Sequence, residues 1–352
     1  MRVKVAECAA LFWDDGRLVW DDYLRQRQYA LTAGSETVLR WFARWRELET
    51  ARELGDGSLE IAERLVDAGA LIVEGSPEHE GEERVGLGWG RWGAAARHFH
   101  FSVRTPASAR FVSHGDDVIH MREQSREHPA PAIAKTYPDR DVVPVGLADA
   151  ADWRRHGLLE TLHHRRSVRR FTSDPVSVAE VGTILQLAGG IVDSLPDNGA
   201  GAAVFKTSPS AGAWHAVELY LEARDVEGLA PGVYHFAPTR GGLEDLGRGV
   251  LGEAARETLG GQAWLADAPA LLIYTAVIDR AQWRYGAGRA YRDVLIGLGH
   301  LSQTVLLTAT AMGLGAVFAT AVCDEELERH IGCDAAGEVV LGVAALGRPA
   351  EG

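Results

Sequence analysis

The chain has 352 residues, 46% hydrophobic and 24% charged, with a formal net charge of −13. That length suits one large or two ordinary globular domains, and the composition excludes a disordered or fibrous chain. The acidity argues against nucleic acid as a partner. The charged start argues against a secretory signal, and no apolar run is expected to be long enough to span a membrane, which leaves a cytoplasmic protein as the expectation.

Residues 1–75 are expected to form a small α/β unit. "VKVAECAALFW" alternates loosely, as a strand does. In "GSETVLRWFARWRELE", Ser35 is a candidate N-cap ahead of Val38, Leu39, Phe42 and Trp45 at helical spacing. Ser58 is the expected cap of a second helix with Ile61, Leu65 and Val66 on its apolar stripe. Gly69 stops it, and "ALIVE" follows as a strand. The order helix, short helix, strand is winged-helix-like. Its net charge of −4 suits contact with a peptide or protein better than contact with DNA. Residues 76–155 are expected to be a connector with short strands and a Pro-rich segment. Within it "HFHFSVRT" is predicted as a strand with His98 and His100 on one face. No third metal ligand is apparent, and no metal is expected. Cys8, Cys323 and Cys333 form no CxxC pair or zinc spacing and are expected as buried small hydrophobes.

From residue 156 the pattern is α+β, with a long, partly covered central helix. His163 to Phe171, "HHRRSVRRF", concentrates arginine around Ser167. This is either a solvated charged face or an anion site on which Arg165, Arg166 and Arg169 converge, with Ser167 as a hydroxyl donor. Ser177 is a predicted cap for a helix whose stripe is Val181, Ile184, Leu185 and Ala188, ending at Gly189–Gly190. Strands are predicted over 216–224, 232–238, 268–278 and 338–349. A long apolar helix runs through "YRDVLIGLGHLSQTVLLTATAMGLG" to Gly313 and Gly315.

Four segments together resemble the flavin-dependent nitroreductase superfamily, and within it the SagB-type dehydrogenases that tailor ribosomal peptides. They are "RRSVRRF" (165–171), "SPSAGAWHAVELYL" (208–221), "WRYGAGRAYRDVLIGLGHLSQ" (283–303) running into "AMGLGAVF" (311–318), and "LGRP" (346–349). The resemblance covers about residues 160 to 350. It implies an α+β nitroreductase-like fold, FMN as cofactor and a homodimer with the active sites at its interface. It also implies a modified precursor peptide as substrate and a cyclodehydratase as a further partner.

The resemblance assigns Arg165, Ser167 and Arg169 to the phosphate and ribityl chain, with Arg166 beside them and Arg348 reaching the phosphate. Ser208, Pro209, Ser210, Ala211 and Gly212 would lie along the flavin ring, though read alone they are an ordinary turn before a strand. Gly313, Leu314 and Gly315 would offer backbone near the flavin, and the same residues suit a helix C-cap. His215 is placed to orient the loop, and Glu218 is a further candidate. His300 is expected as a core histidine.

Arg284–Tyr285 occupies the place of a Lys–Tyr pair in azoline oxidases. Arginine cannot serve as a base. The expectation is that Tyr285 is the base, ionised beside Arg284. Three functions stay open: peptide azoline oxidation, NAD(P)H-dependent nitro or quinone reduction, and a non-catalytic peptide-binding scaffold.

Overall fold

The computed structural model describes residues 1–148 and 157–350, and the expected boundary at 155–156 lies outside the described residues. The chain divides into two compact units, Met1–Arg110 and Phe111–Gly352.

The first unit holds a three-stranded antiparallel sheet with Arg2–Val5 at its centre, flanked by Arg46–Glu47 and Leu71–Val73. A separate meander is formed by Ala9–Asp14, Arg17–Asp22 and Arg27–Ala30, so the strand expected over 3–13 is two, Arg2–Val5 and Ala9–Asp14, in different sheets. The helices are Ala33–Trp41, capped by Thr32 through Ser35 N, and Ser58–Asp67. Their apolar stripes join Val3, Trp20 and Leu71 in one core. The cap of the first helix thus sits three residues before the expected Ser35, and in the second Gly57 holds the cap position, with Ser58 the first helical residue.

The stretch expected as a strand at His98 is a helix, Gly93–Ser102, preceded by another at Pro77–Trp89. On a helix, residues two apart point to different sides, so His98 and His100 do not share a face. His98 Nε2 instead lies 2.8 Å from Asp21 Oδ2, and the His100 ring packs on Trp89. Of the cysteines only Cys8 is buried. Cys323 is exposed and Cys333 half-buried, against expectation.

The second unit is built on a seven-stranded sheet in the order Gly315–Ala319, Glu338–Gly347, Ala270–Val277, Val217–Ala223, Gly232–Ala237, Gly242–Arg248, Val142–Pro144. All six pairings are antiparallel. Successive strand residues face opposite sides. Leu219, Leu221, Leu272 and Tyr274 pack on one side with Ile184, Leu185, Leu301 and Val305 of two helices. Tyr220, Leu271 and Ile273 pack on the other with Leu259, Leu265, Leu327 and Ile331. Both faces are covered, which is why Ala270–Val277 reads as a nearly continuous apolar run, whereas Val217–Ala223 also buries Glu218 and Glu222.

The helix Val178–Gly189 carries a full capping box between Ser177 and Glu180. The central helix is Ala290–Ala311. By length and composition alone it could cross a membrane, against the expectation that no such run exists. In this fold its Leu298, Leu301, Val305 and Ala309 are core residues. It ends in a Schellman motif: Gly313 has φ +77°, and Leu314 N donates to Ala309 O at 2.8 Å.

Candidate active site

The arginine segment is held at both ends by backbone. Ser167 bridges Ala316 in parallel, with Val168 N donating to Ala316 O at 3.0 Å. Phe171 bridges Pro349, and Thr172 N donates to Arg348 O at 2.9 Å. The segment therefore lies beside Gly315, where a Cβ would meet Val168 Cγ1 at 2.7 Å. Only glycine allows that approach.

Within the segment the arginines differ. The Arg165 side chain makes no hydrogen bond or ion pair with the described residues. Arg169 lies over the Trp264 ring at 5.6 Å. The Arg166 guanidinium folds back, its Nη1 donating to His163 O and Arg165 O, both at 2.8 Å. Arg348 Nη2 stands 3.0 Å from Glu180 Oε2.

The second group forms around residues 208–215. Ser208 Oγ is 3.1 Å from Ala188 O and 2.8 Å from Thr304 Oγ1, which ties the loop to both core helices. His300 Nδ1 lies 3.0 Å from Pro209 O. His300 is exposed, not a core histidine, and it braces the loop. Three residues of the turn have positive φ: Gly212 (+59°), Ala213 (+59°) and His215 (+40°). For alanine and histidine this conformation is strained, and such strain concentrates at functional sites. Gly212 is the close-approach point. A Cβ there would stand 2.9 Å from Tyr285 Oη and 3.2 Å from Arg284 Nε.

His215 is buried, with Nε2 3.0 Å from Val204 O. Burial, with the nearby Lys206 charge, lowers its pKa to about 4, so it is neutral at pH 7. Arg280, also buried, holds the turn from below. Its Nη1 donates to His215 O at 3.0 Å and pairs with Glu218 at 2.6 Å. Glu218 meets His235 at 3.2 Å, and His235 meets Glu244 at 2.7 Å. Burial alone would raise the Glu218 pKa; His235 and Arg280 outweigh it and hold the carboxyl down at about 2. Glu218 is thus a structural anion under the sheet.

Tyr285 does not have the environment expected of an ionised base. Burial pushes its phenol up, and Arg284 opposes this only in part while Asp293 and Asp117 add to it. Burial is the main cause; Asp117 adds least, though its Oδ2 is 2.6 Å from Arg284 Nη2. The guanidinium charge is largely spent on that carboxylate. Arg284 still covers the Tyr285 ring at 4.6 Å. Neither Asp117 nor Arg280 was legible as a site residue, because neither sits in a motif.

A pocket opens between the loop and helices Ile278–Tyr285 and Ala290–Ala311. Ser210, Trp214, Tyr285, Asp293 and Lys206 are among its lining residues. It encloses about 40 Å³, room for a few waters and far less than a flavin ring.

The donor set fits a flavin mononucleotide. Glu180, beside Arg348, and Ala188, beside Ser208, are on one helix and eight residues apart, a separation of about 12 Å. One station carries arginines suited to a phosphate, and the other a loop of small residues suited to a flat ring.

The nitroreductase family matches residues 162–348. The Methanocaldococcus jannaschii nitroreductase-type protein MJ1384 is 35% identical over 192 residues, covering 53% of this chain and 88% of that protein. The trifolitoxin-processing protein TfxB of Rhizobium leguminosarum bv. trifolii is 27% identical over 152 residues, covering 40% of this chain and 38% of that protein. A nitroreductase-type crystal structure from Anabaena variabilis superposes with a TM-score of 0.55 at 22% identity, over 73% of this chain and 48% of that one. The arginine station, the small-residue loop and the antiparallel sheet between covering helices accord with these matches, and the chain belongs to the nitroreductase family, whose cofactor is FMN.

Proposed function

We propose that this protein is an FMN-dependent dehydrogenase of the SagB type, which oxidises azoline rings of a modified ribosomal peptide to azoles. The observation that carries this reading is the strained turn at 212–215, held against Tyr285 and Arg284 at the mouth of a small pocket. Likeness to the trifolitoxin-processing protein supports it. When bound, FMN supplies a two-electron acceptor. The chain's own part is to bind and position: Arg165, Arg169, Arg348 and Ser167 at the phosphate, the 208–212 loop along the ring, and Tyr285 as a neutral phenol that donates to the substrate.

The long helix leaves Tyr291, Leu295 and Ile296 exposed. We assign this apolar face to a homodimer interface, of the obligate size above roughly 2,000 Å², that completes the flavin site. The winged-helix-like first unit would dock the leader peptide or a cyclodehydratase partner, in the cytoplasm. A second reading, an NAD(P)H-dependent nitro or quinone reductase, is favoured by likeness to MJ1384 and by the missing lysine at 284. Anaerobic mixing of the flavin-loaded protein separates the two. Bleaching of the flavin by a ring-bearing peptide supports the first reading, and rapid bleaching by NADPH with none by the peptide supports the second.

A further inference from the structure

Of the 36 lysine and arginine residues in this chain, only Lys4, Lys135 and Lys206 are lysines. Two of these are neutralised: Lys4 by Glu7 at 2.8 Å and Lys135 by Glu338 at 2.5 Å. The side chain of Lys206, at the end of strand Ala203–Lys206, makes no hydrogen bond or ion pair with any described residue. Its side chain instead lines the pocket shared by Tyr285, Ser210 and Asp293. Much of the remaining wall is apolar, including Trp214, Val217, Val294 and Leu301.

A sequence that uses arginine almost everywhere keeps a lysine here. The two cations differ in one property that bears on chemistry: a desolvated lysine can lose its proton, and an arginine cannot. Arg284, where the resemblance leads one to expect a lysine, is spent on Asp117. Tyr285 is held protonated, and the buried His215 has one ring nitrogen committed to Val204 O.

We propose that Lys206 is the proton acceptor of this pocket, in the role that arginine at position 284 leaves vacant. This rests on the reading of the protein as a peptide-ring dehydrogenase. The proton leaves a ring carbon of the substrate and forms a new N–H bond with the lone pair of the Lys206 amine. The electrons of the broken C–H bond become the new ring double bond. A hydride leaves the adjacent ring carbon for the flavin, the oxidant of the reaction. Burial lowers the proton affinity of Lys206, Glu218 opposes this, and Arg280 adds to it. His215, Tyr285 and Asp293 are the other titratable groups around the pocket.

The test is an NMR titration of protein labelled at lysine Cε, loaded with FMN, in which only three lysine signals occur. The signal lost in Lys206→Arg is that of Lys206. It is expected to titrate below Lys135, whose ion pair favours the charged form. Peptide oxidation should rise with pH through the same value. In Lys206→Arg it should fall about 100-fold or more, while FMN affinity by fluorescence stays within about twofold of the parent. Lys206→Met serves if arginine disturbs folding. An ordinary titration for Lys206 overturns this inference and leaves the functional reading standing. A depressed titration in a protein that oxidises no ring-bearing peptide overturns the functional reading, and the catalytic role of Lys206 with it.

Discussion

Arg284 and Asp117 meet at 2.6 Å, and both charges act on the phenol beside them, Arg284 favouring its ionised form and Asp117 opposing it. Asp117 belongs to the helix His114–Glu127 and Arg284 to the last turn of Ile278–Tyr285. Alone, the guanidinium would draw Tyr285 toward ionisation. Burial is the larger effect, Asp293 and Asp117 add to it, and the phenol stays protonated. In Asp117→Asn the Tyr285 pKa should fall, because a raising charge is lost and Arg284 acts unopposed. Titration of Cζ-labelled tyrosine by NMR reads this directly. The pair is mostly buried, so the variant should also lose about 1–3 kcal/mol of stability, between the exposed and fully buried limits.

The arginine station gives a graded expectation. Arg165 and Arg169 are available to an anion, whereas Arg166 is bonded to its own backbone. Arg165→Ala and Arg169→Ala should each weaken FMN binding by about 1.5–3 kcal/mol, the value of one charge-assisted contact. Arg166→Ala should change it little. Fluorescence titration of apoprotein with FMN measures all three, and equal losses would show that the station is only a diffuse positive field.

His215 makes the fold sensitive to mild acid. Its folded pKa near 4 lies below the ordinary value of about 6.5. Between these values the unfolded chain takes up a proton that the folded protein refuses. Stability is therefore complete above pH 6.5 and falls as pH drops toward 4, by up to about 3 kcal/mol. His215→Asn, which tolerates the positive φ, should flatten urea-unfolding stability across that window. Glu218 adds a second loss at lower pH, from its ordinary carboxylate value down to about 2.

Arg280 joins three groups: Glu218, the His215 carbonyl and Ala132 O at 2.9 Å. Arg280→Met would strand the Glu218 carboxylate beside His235. A loss of about 3–5 kcal/mol is expected on removing one partner of a buried pair. Urea denaturation of the flavin-free protein measures it without involving activity.

Much of the fold is legible in the sequence. Ser177 three residues before Glu180 marks the capping box, and the apolar run at 270–277 marks a strand covered on both faces. The alternation in "HFHF" misleads, because four residues fit both periods. The alanines of "GAAARHF" and the packing of His100 on Trp89 decide for helix. In the site, the glycine and serine positions of the loop are readable because local backbone geometry demands them. Asp117, Arg280 and Lys206 are not, since their meaning depends on partners brought together by the tertiary fold. Asp117 is 167 residues from Arg284 in the chain.

The central claim is oxidation of a peptide ring. Its most direct test is mass spectrometry of an azoline-bearing precursor peptide incubated with the FMN-loaded protein in air. The expected result is the loss of two hydrogens per ring, abolished when FMN is stripped and restored when it is returned. An unchanged peptide mass, with flavin that NADPH reduces and a nitroaromatic or quinone reoxidises, would contradict the account and leave a reductase.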